Sequence, residues 1–199
     1  MGKNVVAIVG SYRKDGTVES AVDAILDAAA EKGARTGKIH LLDKHIEFCT
    51  NCRFCTQSEG PRRGRCVLQD DLESVLSELD AADAIVLGAP VNFYNVTALF
   101  RRFMERLVGA AYWPWGKGTG PVLRKPTTWK KAVLVTSAAM PGFLIPLTTG
   151  APRALKVTAQ VLHAQPVATL RIGLSAVHAR QELPDKIKQR ASRIGRSLA

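Results

Sequence analysis

No stretch of the sequence approaches the roughly 18 consecutive apolar residues of a membrane-crossing helix, which excludes a helical membrane span. Low-complexity tracts and internal repeats are also missing, and 46% hydrophobic with 23% charged residues is the composition of a soluble globular protein. The first residues lead at once into an apolar, strand-like run, without the longer apolar stretch and small-residue cleavage site of a signal peptide, so a cytoplasmic location is expected. Gly2 would suit a myristoylation signal, but Val6 stands where that signal needs Ser or Thr. Neither the Walker pattern nor the spaced glycines of a dinucleotide-binding turn occurs, which argues against an NTPase or a simple Rossmann dehydrogenase. The four histidines, His40, His45, His163 and His178, are scattered and are expected to serve structural or surface roles.

Acidic residues are nearly absent from the last third. Of 28 Lys plus Arg and 17 Asp plus Glu, residues 1–120 hold 15 of each, so the whole net charge of +11 falls after residue 120. Such asymmetry suits nucleic acid, anionic lipid, an acidic protein or a phosphorylated cofactor, or simply a solvated basic face. No nucleic-acid motif accompanies it, so nucleic acid is not the expected partner.

At 199 residues the chain can bury a core without disulfides or a structural metal, and one domain is expected. Apolar runs alternate with helix-period segments throughout. Strands are expected at 4–10, 35–42, 83–89, 130–138 and 165–173. The intervening helices carry Val18, Val22, Ile25 and Ala29; Leu72, Val75, Leu76 and Leu79; Leu99, Phe100, Phe103, Met104 and Leu107; and Leu155, Ala159 and Leu162. A last helix places Ile187, Ala191, Ile194 and Leu198 on one face. Asp70 and Glu73 have the spacing of a capping box. Five strands alternating with helices imply a doubly wound α/β sheet with right-handed crossovers. Segments 109–128 and 139–152 read as long irregular loops, which in compact domains are usually lids or interfaces.

The turn after the first strand, GSYRKDGTVES at 10–20, runs straight into a helix. Ser11 and Thr17 can donate hydroxyls to an anion there, Arg13 adds a charged donor, and Gly16 lets the backbone close around it. Taken alone, the segment also reads as an ordinary polar strand-to-helix turn. After the third strand comes GAPVNFYNVTALFRRFMER at 88–106, where Pro90 stiffens the chain and Phe93 and Tyr94 offer flat apolar surfaces beside free amides. At these two loops the sequence resembles the NADPH-dependent FMN reductase family and its relatives, the iron-sulfur flavoproteins. Gly10, Ser11, Arg13 and Gly16 match the family's phosphate loop, and Pro90, Val91, Phe93 and Arg106 its flavin loop. Thr17 and Val18 depart from the usual Asn and Thr, Asn92 from Tyr, Arg101 from Lys, and Glu105 from Asp.

The resemblance implies a flavodoxin-like three-layer sandwich with a five-stranded parallel sheet. Residues 1–199 would form a single FMN-binding domain with a cysteine-rich insert at 46–69. It places Ser11, Arg13, Gly16, Thr17 and Val18 at the FMN phosphate. Pro90, Val91, Asn92, Phe93, Tyr94 and Asn95 fall at the ring, bordered by Ser137, Ala138 and Met140. No catalytic side chain is expected, because the flavin carries the chemistry. Electrons would come from NAD(P)H, with NADH and NADPH both open, and pass to a small acceptor such as a quinone or a flavin. A homo-oligomer, dimer or tetramer, is also implied, with the Trp-rich loop at 109–128 as its candidate interface.

Cys49, Cys52, Cys55 and Cys66 give C-x2-C-x2-C-x10-C. Three close thiols and a fourth reaching back can ligate a 4Fe-4S cluster. Free or redox-active thiols are a second reading and zinc, which favours two separated pairs, a third. With a cluster, the alternative function is an iron-sulfur flavoprotein passing electrons between an acidic, ferredoxin-like partner and FMN. A redox-sensing or scaffold protein without turnover stands as a further alternative.

Overall fold

Burial on both faces governs the first strand. In the computed structural model, which describes residues 2–126, 128–178 and 182–199, strand β1 (Asn4–Val9) is buried from Val5 onward. Such a run suits the middle of a parallel sheet. Helix α1 (Thr17–Ala30) follows with Gly16 at its N-cap, and the chain turns out of it at Gly33, where φ is 88°. Strand β2 (Arg35–His40) stops two residues short of expectation because Leu41–Asp43 coil into a 3-10 turn. Beyond the cysteine segment lie α2 (Leu72–Asp80) and β3 (Ala84–Gly88). A hairpin of β4 (Val91–Asn92) and β5 (Asn95–Val96) leads into α3 (Ala98–Glu105), prolonged by a 3-10 turn over Arg106–Ala110.

The segment at 109–128 is less irregular than its composition suggests. It forms a ribbon of β6 (Ala111–Tyr112) and β7 (Val122–Leu123); Thr127 of that segment lies outside the described residues. Strand β8 (Lys130–Ser137) precedes a loop containing the single turn α4 (Ile145–Thr148), and then come α5 (Ala151–Val161), β9 (Ala164–Ile172) and α6 (Asp185–Arg196). Among the described residues no helix is long and apolar enough to cross a membrane. The expected capping box forms only in part. Asp70 Oδ1 accepts the Leu72 N–H at 3.0 Å, but Glu73 turns away to Arg63 instead of reaching back.

The five long strands form one parallel sheet in the order β2-β1-β3-β8-β9, and the fold is flavodoxin-like. Apolar residues of α1 and α6 cover one face, and those of α2, α3 and α5 the other. The chain leaves β1 toward one face and β3 toward the opposite face, so the switch point of the sheet, the crevice at which ligands of such sheets bind, falls between their carboxyl ends.

Thr97 closes the back of that crevice. Its hydroxyl donates to the Gly10 carbonyl at 2.7 Å and accepts the Phe100 N–H at 3.1 Å, with the residue 1% exposed. One side chain thus caps α3 and satisfies the carbonyl that ends β1. Thr97→Val keeps the shape but orphans both groups, and should cost about 1–3 kcal/mol in urea unfolding, with Thr97→Ser recovering most of it. A Val variant as stable as the wild type would remove Thr97 from this role.

Candidate functional site

Residues 10–17 are folded by their own side chains. Ser11 is buried, and its Oγ accepts the Arg13 N–H at 3.1 Å, while the Tyr12 hydroxyl accepts the Leu99 N–H at 3.2 Å. Arg13, Lys14 and Asp15 are exposed, and Lys14 pairs with Asp43 at 2.7 Å. Gly16 and Thr17 open α1, where a helix leaves its first amides without intrahelical partners. The Val18 side chain lies in the core against Gly88, whose Cβ would come within 2.9 Å of it, so Val18 can offer this loop its amide rather than its side chain.

The flavin-loop segment is a tight hairpin. Asn92 pairs with Asn95, leaving Phe93 and Tyr94 as the two turn residues with φ of 47° and 64°. Two-residue hairpin turns of this hand favour Asn and Gly, and bulky residues there store strain of the kind found at functional sites. Phe93 is 95% exposed and Tyr94 67%, with the rings edge to face. Gly150 supports the turn from behind. Its N–H donates to the Tyr94 carbonyl at 2.8 Å, and a Cβ there would meet the Asn95 side chain at 2.8 Å. Pro90 and Val91 are half-buried at the base. Ser137 and Ala138 are buried at the end of β8, and Met140 is half-buried with Sδ 2.9 Å from Thr148 Oγ1. Phe143 is 72% exposed.

The cysteine segment forms a second centre. Asn51 and Arg53 take left-handed φ values of 55° and 57°, coiling the chain between the first three cysteines. The long gap before Cys66 is closed by glycine: a Cβ on Gly64 would lie 1.7 Å from the Cys55 carbonyl oxygen, and the Gly64 N–H donates to Gly109. All four cysteines line one small cavity together with Arg53 and Arg106. Among the described residues no three Cys, His, Asp or Glu groups converge as a single metal ion requires. A cubane cluster asks for something else, since each iron takes one thiolate and the thiols surround a volume. Burial pushes the Cys55 thiol above its ordinary value, aided by Cys66, Cys49 and Cys52; hydrogen bonds from the Phe54 amide and the Thr50 hydroxyl draw Cys52 below it.

Arg62, Arg63 and Arg65 flank Cys66 in the sequence, but Arg63 pairs with Asp80 and Glu73, while Arg62 and Arg65 are exposed. The guanidinium bonded to Cys66 is that of Arg106, at 3.4 Å from Sγ. Arg106 also donates to the Glu47 carbonyl at 2.7 Å and to both oxygens of Asp70, with both side chains 1% exposed. Arg53 is stacked between Trp113 and Trp115, 3.5 and 4.0 Å from the ring centroids, which fastens the cysteine segment to the β6–β7 ribbon. Arg124 donates to the Ser58 and Gly60 carbonyls. Thr97, Tyr12, Gly150 and Arg124 were not among the expected site residues. Thr97 carries a readable signal, a Thr before an apolar helical run; the others are recognised only through long-range contacts.

The NADPH-dependent FMN reductase family model matches residues 3–167. An iron-sulfur flavoprotein of Archaeoglobus fulgidus is 34% identical over 113 residues, 57% of this chain and 49% of that one. Another, of Methanocaldococcus jannaschii, is 36% identical over 102 residues, 51% of this chain and 50% of the relative. The chain thus spans about half the length of these curated relatives. Among solved structures, an azoreductase from Bacillus anthracis superposes with a TM-score of 0.72 at 14% identity, over 98% of this chain and 99% of that one. An archaeal flavodoxin gives 0.56 at 15%, over 99% and 96%. At these identities the likeness is one of fold.

Burial raises the Asp70 carboxyl, but hydrogen bonds from Arg106, Glu47 and Leu72 outweigh it and hold the group below the ordinary carboxylate range. Its stabilisation is therefore full above the unfolded carboxyl value of about 4 and is lost as pH falls through the depressed folded value. Asp70→Asn should flatten the acid limb of unfolding free energy against pH. Arg106→Met, which leaves the buried carboxylate alone, should cost roughly 3–5 kcal/mol at pH 7 in denaturant titration. An Asn variant that loses stability on acidification as steeply as the wild type would refute the assignment.

Proposed function

The chain belongs to the NADPH-dependent FMN reductase family, and on that premise we propose that it is an FMN-dependent oxidoreductase passing electrons from NAD(P)H to a small acceptor such as a quinone or a flavin. One observation supports this reading: the polar turn at 10–17 follows β1 and the strained aromatic hairpin at 91–96 follows β3, its parallel neighbour at the switch point of the sheet, and the two segments are bonded through Thr97 to Gly10 and Leu99 to Tyr12. The first amides of α1, with Ser11, Arg13 and Thr17, suit a phosphate, and the exposed rings of Phe93 and Tyr94 suit a flat heterocycle. When bound, FMN supplies reversible hydride and electron chemistry. The chain's own residues bind the phosphate, orient the ring against the hairpin, and limit water with Ser137, Ala138 and Met140. Exposed Lys186, Lys188 and Arg193 on α6 suit an anionic partner, either the phosphates of a pyridine nucleotide or an acidic electron-transfer protein.

A second reading, an iron-sulfur flavoprotein passing electrons between a ferredoxin-like partner and FMN, is favoured by the four cysteines lining one cavity and by the name its curated relatives carry. The cavity residues fit a thiolate-ligated cluster: Cys49, Cys52, Cys55 and Cys66 would hold it, and Arg106 would offset its charge at Cys66.

Two measurements test these readings. Arg13→Ala with Thr17→Ala should weaken FMN binding by about tenfold or more in fluorescence titration, and unchanged affinity would count against the phosphate site. Protein purified without oxygen should contain iron and sulfide beside FMN, and Cys52→Ala should lose the iron and keep the flavin. Stoichiometric FMN without iron ends the second reading and leaves a flavin-only reductase.

A further inference from the structure

Glu19 stands in the first turn of α1 with 8% of its side chain exposed. A carboxylate at that depth has to be compensated. Lys38 on β2 donates to Oε1 at 2.8 Å and bridges to Asp23 at 2.8 Å, while His40 Nε2 lies 3.4 Å from Oε2. The same Oε2 accepts the Asp15 N–H at 3.2 Å. Asp15 is the residue at which the loop reverses. Its φ of 64° is left-handed, a conformation open to Asp but less favoured than the right-handed one, so a bond to its amide helps to hold it there. The next residues are Gly16 and Thr17, the start of α1.

An acid in the first turn of a helix is favoured by the helix dipole, yet beneath an anion site it would repel the anion. Lys38 resolves that conflict. We propose that Glu19 is the positioning residue of this loop: its bond to the Asp15 amide holds the left-handed turn that sets Gly16 and Thr17 against a bound phosphate, while Lys38 cancels its charge. The proposal rests on the reading of residues 10–20 as the FMN phosphate site.

FMN and riboflavin, which share a ring and differ in the phosphate, separate this role from a general structural one. Both are titrated by fluorescence against the wild type, Glu19→Ala, Glu19→Gln, Lys38→Met and the Glu19→Gln/Lys38→Met double variant. Glu19→Ala should lose about tenfold in FMN affinity with riboflavin unaffected, and Glu19→Gln, which keeps an acceptor oxygen, should recover most of it. Lys38→Met should weaken FMN alone, and the double variant should restore it. In the ligand-free protein, hydrogen exchange at the Asp15 amide should be slow in the wild type and in Glu19→Gln and fast in Glu19→Ala, a readout that confirms folding in the same spectra. An FMN-to-riboflavin affinity ratio unchanged in Glu19→Ala, or a Gln variant as weak as Ala, overturns the proposal. A wild type that binds the two flavins equally defeats the phosphate site itself, and the proposal with it.

Discussion

The Arg106–Asp70 pair is the constraint on which the two candidate centres depend. Two charges with side chains 1% exposed are expensive to desolvate, and such a pair is tolerated only when its geometry satisfies nearly every lone pair and proton. Here Asp70 accepts from Arg106 and from the Glu47 and Leu72 amides, while the two terminal nitrogens of Arg106 also donate to the Glu47 carbonyl and Cys66 Sγ, leaving Nε as the one buried donor of the guanidinium without a partner. The groups so joined come from four places: the entry to the cysteine segment, its end at Cys66, the start of α2 and the end of α3. A single buried guanidinium therefore fixes where the cysteine segment begins, where it ends, and how it meets the helix behind the aromatic hairpin.

Strain gathers in the same loops, although among the described residues His163 and Leu174, at the two ends of β9, also take left-handed φ. Asp15, Asn51, Arg53, Phe93 and Tyr94 all have positive φ without being glycine, and they sit in the phosphate-loop turn, the cysteine coil and the hairpin tip. The sheet beneath is the opposite, with β1 and β3 buried and regular. Such a division is what a rigid scaffold presenting strained binding loops requires. Each strained turn has its own restraint. Glu19 holds Asp15, Gly150 backs Tyr94, and the stacked indoles hold Arg53.

Much of this was legible in the residues. The Val-rich runs at 4–10 and 83–89 and the helical spacing of Val18, Val22 and Ile25 placed the sheet and α1, because burial on two faces and on one stripe leave different periods. The two loops were legible as motifs, but that the strands before them lie side by side was not, since strand order leaves no mark in periodicity. What stayed hidden depends on partners far apart in sequence. Arg106 was recognisable as part of a family pattern, but its bond to Cys66, 40 residues away, has no local signature. Of the three arginines beside Cys66 in sequence, Arg63 turns to Glu73 and Asp80 and the other two are exposed, since adjacency along an irregular loop says little about direction in space. Asp70 read as a helix-starting residue, which it is, yet the same carboxylate carries the buried ion pair.

Helix α3 then acquires a meaning beyond its packing. At its N-terminus Thr97 is bonded to the end of β1, and just past its C-terminus Arg106 is bonded to Cys66 and Asp70. Nine residues of helical rise make a spacer of roughly 13 Å between these anchors. Phe100 and Phe103 on its inner face are fully buried, and a Cβ at Gly10 would collide with Phe100 within 2.6 Å. The helix cannot slide along its axis without breaking an anchor, and the absence of a side chain at Gly10 is what lets Phe100 pack this close to the end of β1. The loops after β1 and the cysteine cavity are therefore held at a set separation by a short element pinned at both ends.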